Sequence, residues 1–343
     1  MNELDIFFPP KVLTLISTYR CNASCYNCCF QCNPHRNERL SLEEMISIVN
    51  FITNKYPSLK IVIITGGEPL ILGDDLYEIL KHITTLKKYS RIVTNAHWAT
   101  TFEVACRIIK KLKANGLTEI NYSTGDEHQC YIKYDNIVYA IMAGLEYGIP
   151  VAVNVECNEN KKFNSSVIYN DPRLSKYFNS PSQFPRLTIM DGSWLELNSE
   201  KETIEKEEIV DNDNIRPYNP CSSMFGNICI SPDMEYLSCC GFGTLKNKYL
   251  NFGKVNANNI LQNYAQQFDD LLKVWLYVEG PVKIARFVNK KSGYKLIRYE
   301  GLHSCEICNI ILTSKECKQI IKDNIQHEYP NIMLKYDLIR MSH

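Results

Sequence analysis

The chain has 343 residues, enough for one large domain or for one with a smaller appendage. Hydrophobic residues make up 45% and charged residues 22%, while 38 basic side chains balance 38 acidic ones, which argues against a nucleic-acid or membrane-surface partner. No apolar run approaches the ~20 residues of a membrane helix. The start, "MNELDIFFPPKVLTLIS", lacks a basic leader region and a small-residue cleavage site, so a cytoplasmic protein with reduced thiols is expected.

"KVLTLIST" (11–18) reads as a first strand. It runs into "TYRCNASCYNCCFQC" (18–32), which crowds Cys21, Cys25, Cys28, Cys29 and Cys32 together. A helix is predicted over 41–56, opened by Ser41 and Glu44 as a capping box, with Met45, Ile48, Val49 and Ile52 at helical spacing. "KIVIIT" (60–65) reads as a buried strand that turns at Gly66-Gly67. Helices follow over 75–86, 101–116 and 134–148, and strands over 91–95, 118–124 and 150–157.

Such alternation with short connections predicts a parallel sheet with helices packed outside. Ligands of these sheets bind at the carboxyl ends of the strands. The cysteine run follows the first strand, and Gly66-Gly67-Glu68 follows the second. Thr94-Asn95 ends the third, Ser123 ends the fourth and Asn154 lies in the fifth.

Beyond residue 160 the alternation fades, and "NSEKETIEKEEIVDNDN" (198–214) reads as a solvated helix or linker. Seven of the 15 cysteines come later: Cys221, Cys229, Cys239, Cys240, Cys305, Cys308 and Cys317. "ISPDMEYLSC" predicts a hairpin turning at Pro-Asp, and "HSCEIC" supplies a distant C-x2-C pair. Together they are suited to clamping a metal centre. On a strand, Cys239 and Cys240 would point to opposite faces. Cys106, Cys130 and Cys157 are expected to be packing residues.

Three thiolates in C-x3-C-x2-C spacing, Cys21, Cys25 and Cys28, can hold three irons of a cubane and leave the fourth for an outside ligand. The alternative is a zinc knuckle of Cys25, Cys28, Cys29 and Cys32. It does not explain the glycine and asparagine motifs at the same sheet edge.

On these residues the chain resembles the radical SAM enzymes over about residues 10–190. "TGGEPL" (65–70) matches their glycine-rich motif, and "VTNAHW" (93–98) resembles their third-strand motif. The resemblance implies a partial (β/α)6 barrel. It also implies a [4Fe–4S] cluster on Cys21, Cys25 and Cys28 whose open iron binds S-adenosylmethionine (SAM). Gly66 and Gly67 would approach the methionyl amine and Glu68 would accept its hydrogen bond, while Asn95, Ser123 and Asn154 would bond the ribose. One position departs: the residue before the third cysteine, often aromatic in the family, is Asn27.

The late cysteines resemble a reduced SPASM or twitch domain, a small cysteine-rich domain holding an auxiliary [4Fe–4S] cluster. Cys221, Cys239, Cys305 and Cys308 are the implied ligands, with Cys229 and Cys317 as alternates and zinc as the other metal. The expected division is a barrel over 1–195, a charged linker over 196–216 and the auxiliary domain over 217–343. "STGDEHQCY" and "SCCGF", in order with the motifs above, are similar to the radical SAM peptide epimerases of epipeptide maturation. That likeness implies conversion of L- to D-residues in a ribosomally made peptide. A 5′-deoxyadenosyl radical would take the Cα hydrogen, and the Cys240 thiol would return one. Asp126 and His128 would lie near substrate or SAM. The implied partners are a precursor peptide and an electron donor such as flavodoxin or ferredoxin. The alternatives are a radical SAM maturase forming a thioether or carbon–carbon crosslink, and a zinc-stabilised binding protein without catalysis.

Overall fold

Strands and helices alternate from Val12 onward: β1 (Val12–Thr18), α1 (Leu42–Lys55), β2 (Ile61–Gly66), α2 (Asp74–Thr85), β3 (Tyr89–Thr94), α3 (Phe102–Ala114), β4 (Glu119–Thr124), α4 (Asp126–Gln129), α5 (Tyr134–Glu146), β5 (Val151–Cys157), α6 (Ser165–Tyr169), α7 (Ser175–Asn179) and β6 (Leu187–Ser193). The computed structural model describes residues 9–157, 162–180, 182–193, 220–241, 243–256, 259–297, 299 and 302–341. The expected linker over 196–216 lies outside these residues. The six strands pair in parallel, each with the next in chain order. This is the parallel sheet of the expected partial (β/α)6 barrel.

The local causes are those written in the sequence. The Ser41 hydroxyl accepts from the Glu44 N–H at 3.2 Å, and the Glu44 carboxylate accepts from the Ser41 N–H at 2.7 Å, closing the capping box. Met45, Ile48, Val49 and Ile52 form the buried face of α1, each contributing about 1.5–3 kcal/mol. Leu13 and Leu15 of β1, Val62 and Ile64 of β2, Ile92 of β3 and Val153 and Val155 of β5 are fully buried, as strands covered by helices require.

The sixth strand was implied by the (β/α)6 resemblance but not by the sequence pattern. β6 carries Asp191, Gly192 and Ser193, residues that weaken strand propensity. Its seven-residue register against β5, from Val151↔Leu187 to Cys157↔Ser193, supplies what the local sequence lacks.

The described residues fall into two compact units. The sheet above, with Ile230–Asp233, is one. The other takes residues 9–11, 220–229 and the chain from Met234 onward. After β7 (Asn227–Ile230), β8 (Glu235–Leu237) pairs antiparallel with β9 (Asn251–Lys254). Helices then dominate: α8 (Ile260–Gln266), α9 (Leu271–Val278), α10 (Pro281–Ser292), α11 (Ser304–Thr313), α12 (Lys315–Asn324) and α13 (Tyr329–Met341). Trp275, Leu276, Ile284, Phe287, Ile307 and Ile311 build its core. The Pro232-Asp233 turn does separate two strands, but β8 stops at Leu237, so Cys239 and Cys240 lie beyond the strand rather than on it. No described helix is long and apolar enough to cross a membrane.

Candidate active site

The cysteine loop leaves β1 and is closed at its base by backbone hydrogen bonds. The Cys21 N–H donates to the Asn33 carbonyl at 3.1 Å, and the Asn33 N–H to the Tyr19 carbonyl at 3.3 Å. Turns bonded from Cys28 N–H to Cys25 C=O (3.2 Å) and from Gln31 N–H to Cys28 C=O (2.9 Å) fold the cysteines onto one another. The loop rims a cavity of about 190 Å³ together with Gly66, Gly67, Asn95, Ser123, Asn154 and His128. Of the expected site residues of this unit, only Glu68 and Asp126 stay outside the lining. Cys29 and Cys32 line the cavity as well.

The sheet explains the convergence. Ser123 of β4 is in direct register with Asn154 of β5. Gly66 ends β2 opposite Thr18, the last residue of β1. Gly66 has φ +135°, a conformation that favours glycine. A Cβ on Gly67 would stand 2.0 Å from the Arg20 carbonyl oxygen, so only glycine lets this turn lie against the cysteine loop. The Gly67 N–H donates to the Thr18 carbonyl at 2.6 Å.

Asn95 sits between the two motifs. Its amide donates to the Asn22 side chain at 3.0 Å and approaches the Cys21 sulfur at 3.6 Å. Glu68 turns inward instead. Fully buried, it accepts hydrogen bonds from the Leu70 N–H (3.2 Å), the Thr94 hydroxyl (2.8 Å) and the Asn95 N–H (2.9 Å). It ties the ends of β2 and β3 together. Burial pushes its carboxyl up to about 7 against those three donors, which favour the ionised form.

Asp126 accepts from the Lys162 and Phe163 N–H groups at 2.7 and 3.2 Å, pinning the chain after β5. His128, two residues on, is buried, and its Nδ1 lies 3.2 Å from the Glu156 carboxylate. The other Glu156 oxygen accepts from the Asn27 amide at 2.6 Å. Glu156 was not expected to matter, and Asn27 was noted only as a departure from the family pattern. The signal for Glu156 was present, since strand alternation puts it on the same face as Asn154, two residues earlier. Asn27 stands at the position where the family often has an aromatic ring, and here it is a hydrogen-bond donor. Glu127 and Tyr131 add further ties: the Glu127 carboxylate accepts from the Tyr26 N–H (3.1 Å), and the Tyr131 hydroxyl donates to the Ser24 carbonyl (2.9 Å). "DEHQCY" thus clamps the cysteine loop.

The thiols are tuned apart. Burial pushes Cys21 up to about 11 and Cys25 well above the usual thiol range. Cys28 is drawn down to about 6, chiefly because the Cys32 thiol donates to it; the Cys32 backbone N–H adds a second bond at 3.4 Å. Cys106 is half-buried and Cys130 is exposed, so Cys130 is not the packing residue it was expected to be. The Cys157 side chain lies outside the described residues.

In the other unit, Cys221, Cys239 and Cys308 pack against the core. Cys305 and Cys308 stand one turn apart at the start of α11, whose His303 cap accepts from the Cys305 N–H at 3.1 Å. A methyl built on Gly241 would lie 3.7 Å from the Cys239 sulfur and 3.8 Å from the Cys305 sulfur, so both sulfurs flank one glycine. The Cys308 thiol is pushed far up by burial and by Cys239, Cys221 and Cys305. The alternates, Cys229 and Cys317, are buried. Cys240 has an exposed edge. Neighbouring atoms still crowd its sulfur, and this desolvation raises the thiol to about 11.

All of these candidate cysteines are free thiols. Among the described residues no three His, Cys, Asp or Glu side chains close on a single ion. A cubane makes a different demand, because its cysteines bind separate irons. Three thiols on one loop beside a glycine turn fit such a cluster, and Cys221, Cys239, Cys305 and Cys308, which act on one another electrostatically, fit a second.

Residues 15–155 match the family model of the Radical SAM superfamily. That stretch contains the whole lining of the cavity, and it is a radical SAM domain, a class that binds a [4Fe–4S] cluster and SAM. A relative, "Putative peptide biosynthesis protein YydG" of Bacillus subtilis (strain 168), is 23% identical over 156 residues, 45% of this chain and 48% of that one. The chain thus spans about half the length of that relative. Among solved structures, anSMEcpe with bound AdoMet and Cp18Cys peptide superposes with a TM-score of 0.52 at 14% identity, over 96% of this chain and 100% of that one. Histidine-tagged anSMEcpe with bound AdoMet gives 0.51 at 13% identity, over 96% and 98%. At such identities the likeness is one of fold.

Proposed function

We propose that this radical SAM enzyme epimerises residues of a ribosomally synthesised peptide, converting L- to D-centres. The observation that carries the reading is the divergence of two adjacent residues: Cys239 packs against the core, while Cys240 stays outside it with part of its surface exposed. A metal ligand and a hydrogen donor need those opposite placements. The similarity to a peptide biosynthesis protein supports a peptide substrate.

In this reading Cys21, Cys25 and Cys28 hold the SAM cluster, and Cys221, Cys239, Cys305 and Cys308 hold an auxiliary one. The barrel spans 1–195, the charged segment 196–216 joins it to the auxiliary domain, and that domain spans 217–343. When bound, the cluster and SAM supply the 5′-deoxyadenosyl radical that removes a Cα hydrogen from the peptide. Gly66 and Gly67 offer backbone to the methionyl amine, and Asn95, Ser123 and Asn154 offer hydrogen bonds to the ribose. Glu68 and Asp126 act one step back, Glu68 by holding Asn95 and Asp126 by fixing the chain after β5. His128 borders the cavity under the hold of Glu156. Cys240 returns a hydrogen atom to the planar Cα radical from the other face. Its S–H bond breaks as the new Cα–H bond forms, and one electron and one proton then restore the thiol. A carrier such as flavodoxin or ferredoxin delivers the electron, which fits a cytoplasmic location.

The test is turnover of a candidate precursor peptide, sought among the reading frames next to this gene, run in D2O. One deuterium at a Cα of the product is expected. Cys240→Ala is expected to abolish the D-residue while 5′-deoxyadenosine still forms. A product of unchanged mass in D2O refutes epimerisation. A product lighter by two hydrogens instead identifies the maturase that forms a thioether or carbon–carbon crosslink.

A further inference from the structure

Lys273 is 2% exposed, although it lies in the first turn of α9 and carries a full positive charge when protonated. Its ammonium donates to the Ser238 hydroxyl at 3.2 Å and lies 4.1 Å from the centre of the Phe252 ring and 5.2 Å from that of Tyr249. Among the described residues no carboxylate comes within 4.0 Å of it. Asp270 acts on it from beyond that distance: its Oδ1 caps α9 through the Leu272 and Lys273 N–H groups and accepts the Tyr249 hydroxyl at 2.5 Å.

A buried ammonium is unfavourable unless charge compensates it. One hydroxyl and two ring faces return only part of that. Asp270 supplies part of the compensation, and a second negative group lies close by in the fold. Ser238 directly precedes Cys239, whose charge acts on Lys273, and Tyr249 feels the charge of Cys308. Lys273 is therefore bonded to the residue next to Cys239, which with Cys305 flanks Gly241.

We propose that Lys273 is the built-in counter-cation of the Cys221, Cys239, Cys305 and Cys308 centre, there to raise the reduction potential of an iron–sulfur cluster. This rests on the reading that these four cysteines hold a [4Fe–4S] cluster. Four thiolates leave such a cluster a net dianion, and one-electron reduction makes it a trianion. A fixed positive charge in a medium of low dielectric favours the more negative state. The Ser238 hydroxyl and the two rings hold the ammonium in place, so Lys273 acts as a positioning residue rather than a ligand. Desolvation draws the lysine down to about 8, still above neutral pH.

The experiment uses the full chain with Cys21, Cys25 and Cys28 all changed to alanine, so that any iron left belongs to the second unit. Its midpoint potential is read by EPR-monitored titration in this background, with Lys273 kept and with K273M or K273R added. K273M is expected to shift the midpoint to more negative values, and K273R to return it toward the parent. Loss of the cluster from K273M but not from K273R has the same meaning. An unchanged midpoint in K273M overturns the proposal, as does loss of the cluster from both variants, which marks a packing role. If the background protein binds no iron, the auxiliary-cluster reading itself fails, and Lys273 has no cluster to serve.

Discussion

Asn27 and Glu156 are 129 residues apart in the chain and meet at 2.6 Å, amide to carboxylate, both buried. The contact fastens the middle of the cysteine loop to the end of β5. The second carboxylate oxygen of Glu156 faces His128, so one side chain joins three segments of the cavity wall. Removing it takes this acceptor from the buried Asn27 amide, and an unsatisfied buried group costs about 1–3 kcal/mol. Glu156→Ala is expected to lower the urea midpoint and to reduce the iron retained at the SAM cluster. Wild-type stability and iron content in that variant would dismiss the clamp.

Gly67 sets how closely the second motif approaches the first. With a Cβ 2.0 Å from the Arg20 carbonyl, Gly67→Ala must push the turn away from the cysteine loop. A stability loss on the order of 3 kcal/mol is expected, with weakened SAM binding. Chemical denaturation and calorimetry of SAM binding check both.

The two groups of cysteines are predicted to hold iron independently. Reconstituted wild-type protein should carry about eight irons per chain, the content of two cubanes. Changing Cys21, Cys25 and Cys28 to alanine, or Cys305 and Cys308 to alanine, should each bring this to about four. Iron and sulfide assays with absorption spectra give the answer, and zinc in place of iron at either site would contradict it.

Glu68 gives the apoprotein a pH signature. Its carboxyl is raised from 4.5 to about 7 in the folded state by burial. Between those values the unfolded chain has released the proton and the folded chain still binds it. Stability therefore falls as pH rises through this window and levels off above it. Relative to Glu68→Gln, the wild type should lose on the order of 3 kcal/mol across the window. Denaturation curves of both proteins at several pH values would settle it, and a constant gap between them would show that Glu68 does not titrate there.

The sheet was legible because its causes are local. Periodic apolar faces, the Ser41–Glu44 box and aliphatic runs specify β1 to β5 and the helices between them, and parallel pairing then carries the cysteine, glycine and asparagine motifs to one edge. Cys21, Cys25, Cys28, Gly66, Gly67, Asn95, Ser123, Asn154 and His128 needed nothing more to be brought to one cavity. β6 was not legible, since its strand character comes from pairing with β5 and not from its own residues. The helices of the second unit also escaped notice, where cysteines and a turn drew attention from the apolar faces that build its core.

What only the tertiary structure decided is where the charges and polar groups point. Glu68 was expected to face a ligand; it is spent instead on three hydrogen bonds between β2 and β3. Glu156 and Lys273 carry no motif, because a polar residue becomes unusual only once it is buried, and burial is a property of the packed chain. The sequence by itself determined which atoms could bind iron and SAM. The fold determined which carboxylates and amides hold the segments that carry those atoms, since these partners lie far apart along the chain and meet only after the sheet has formed.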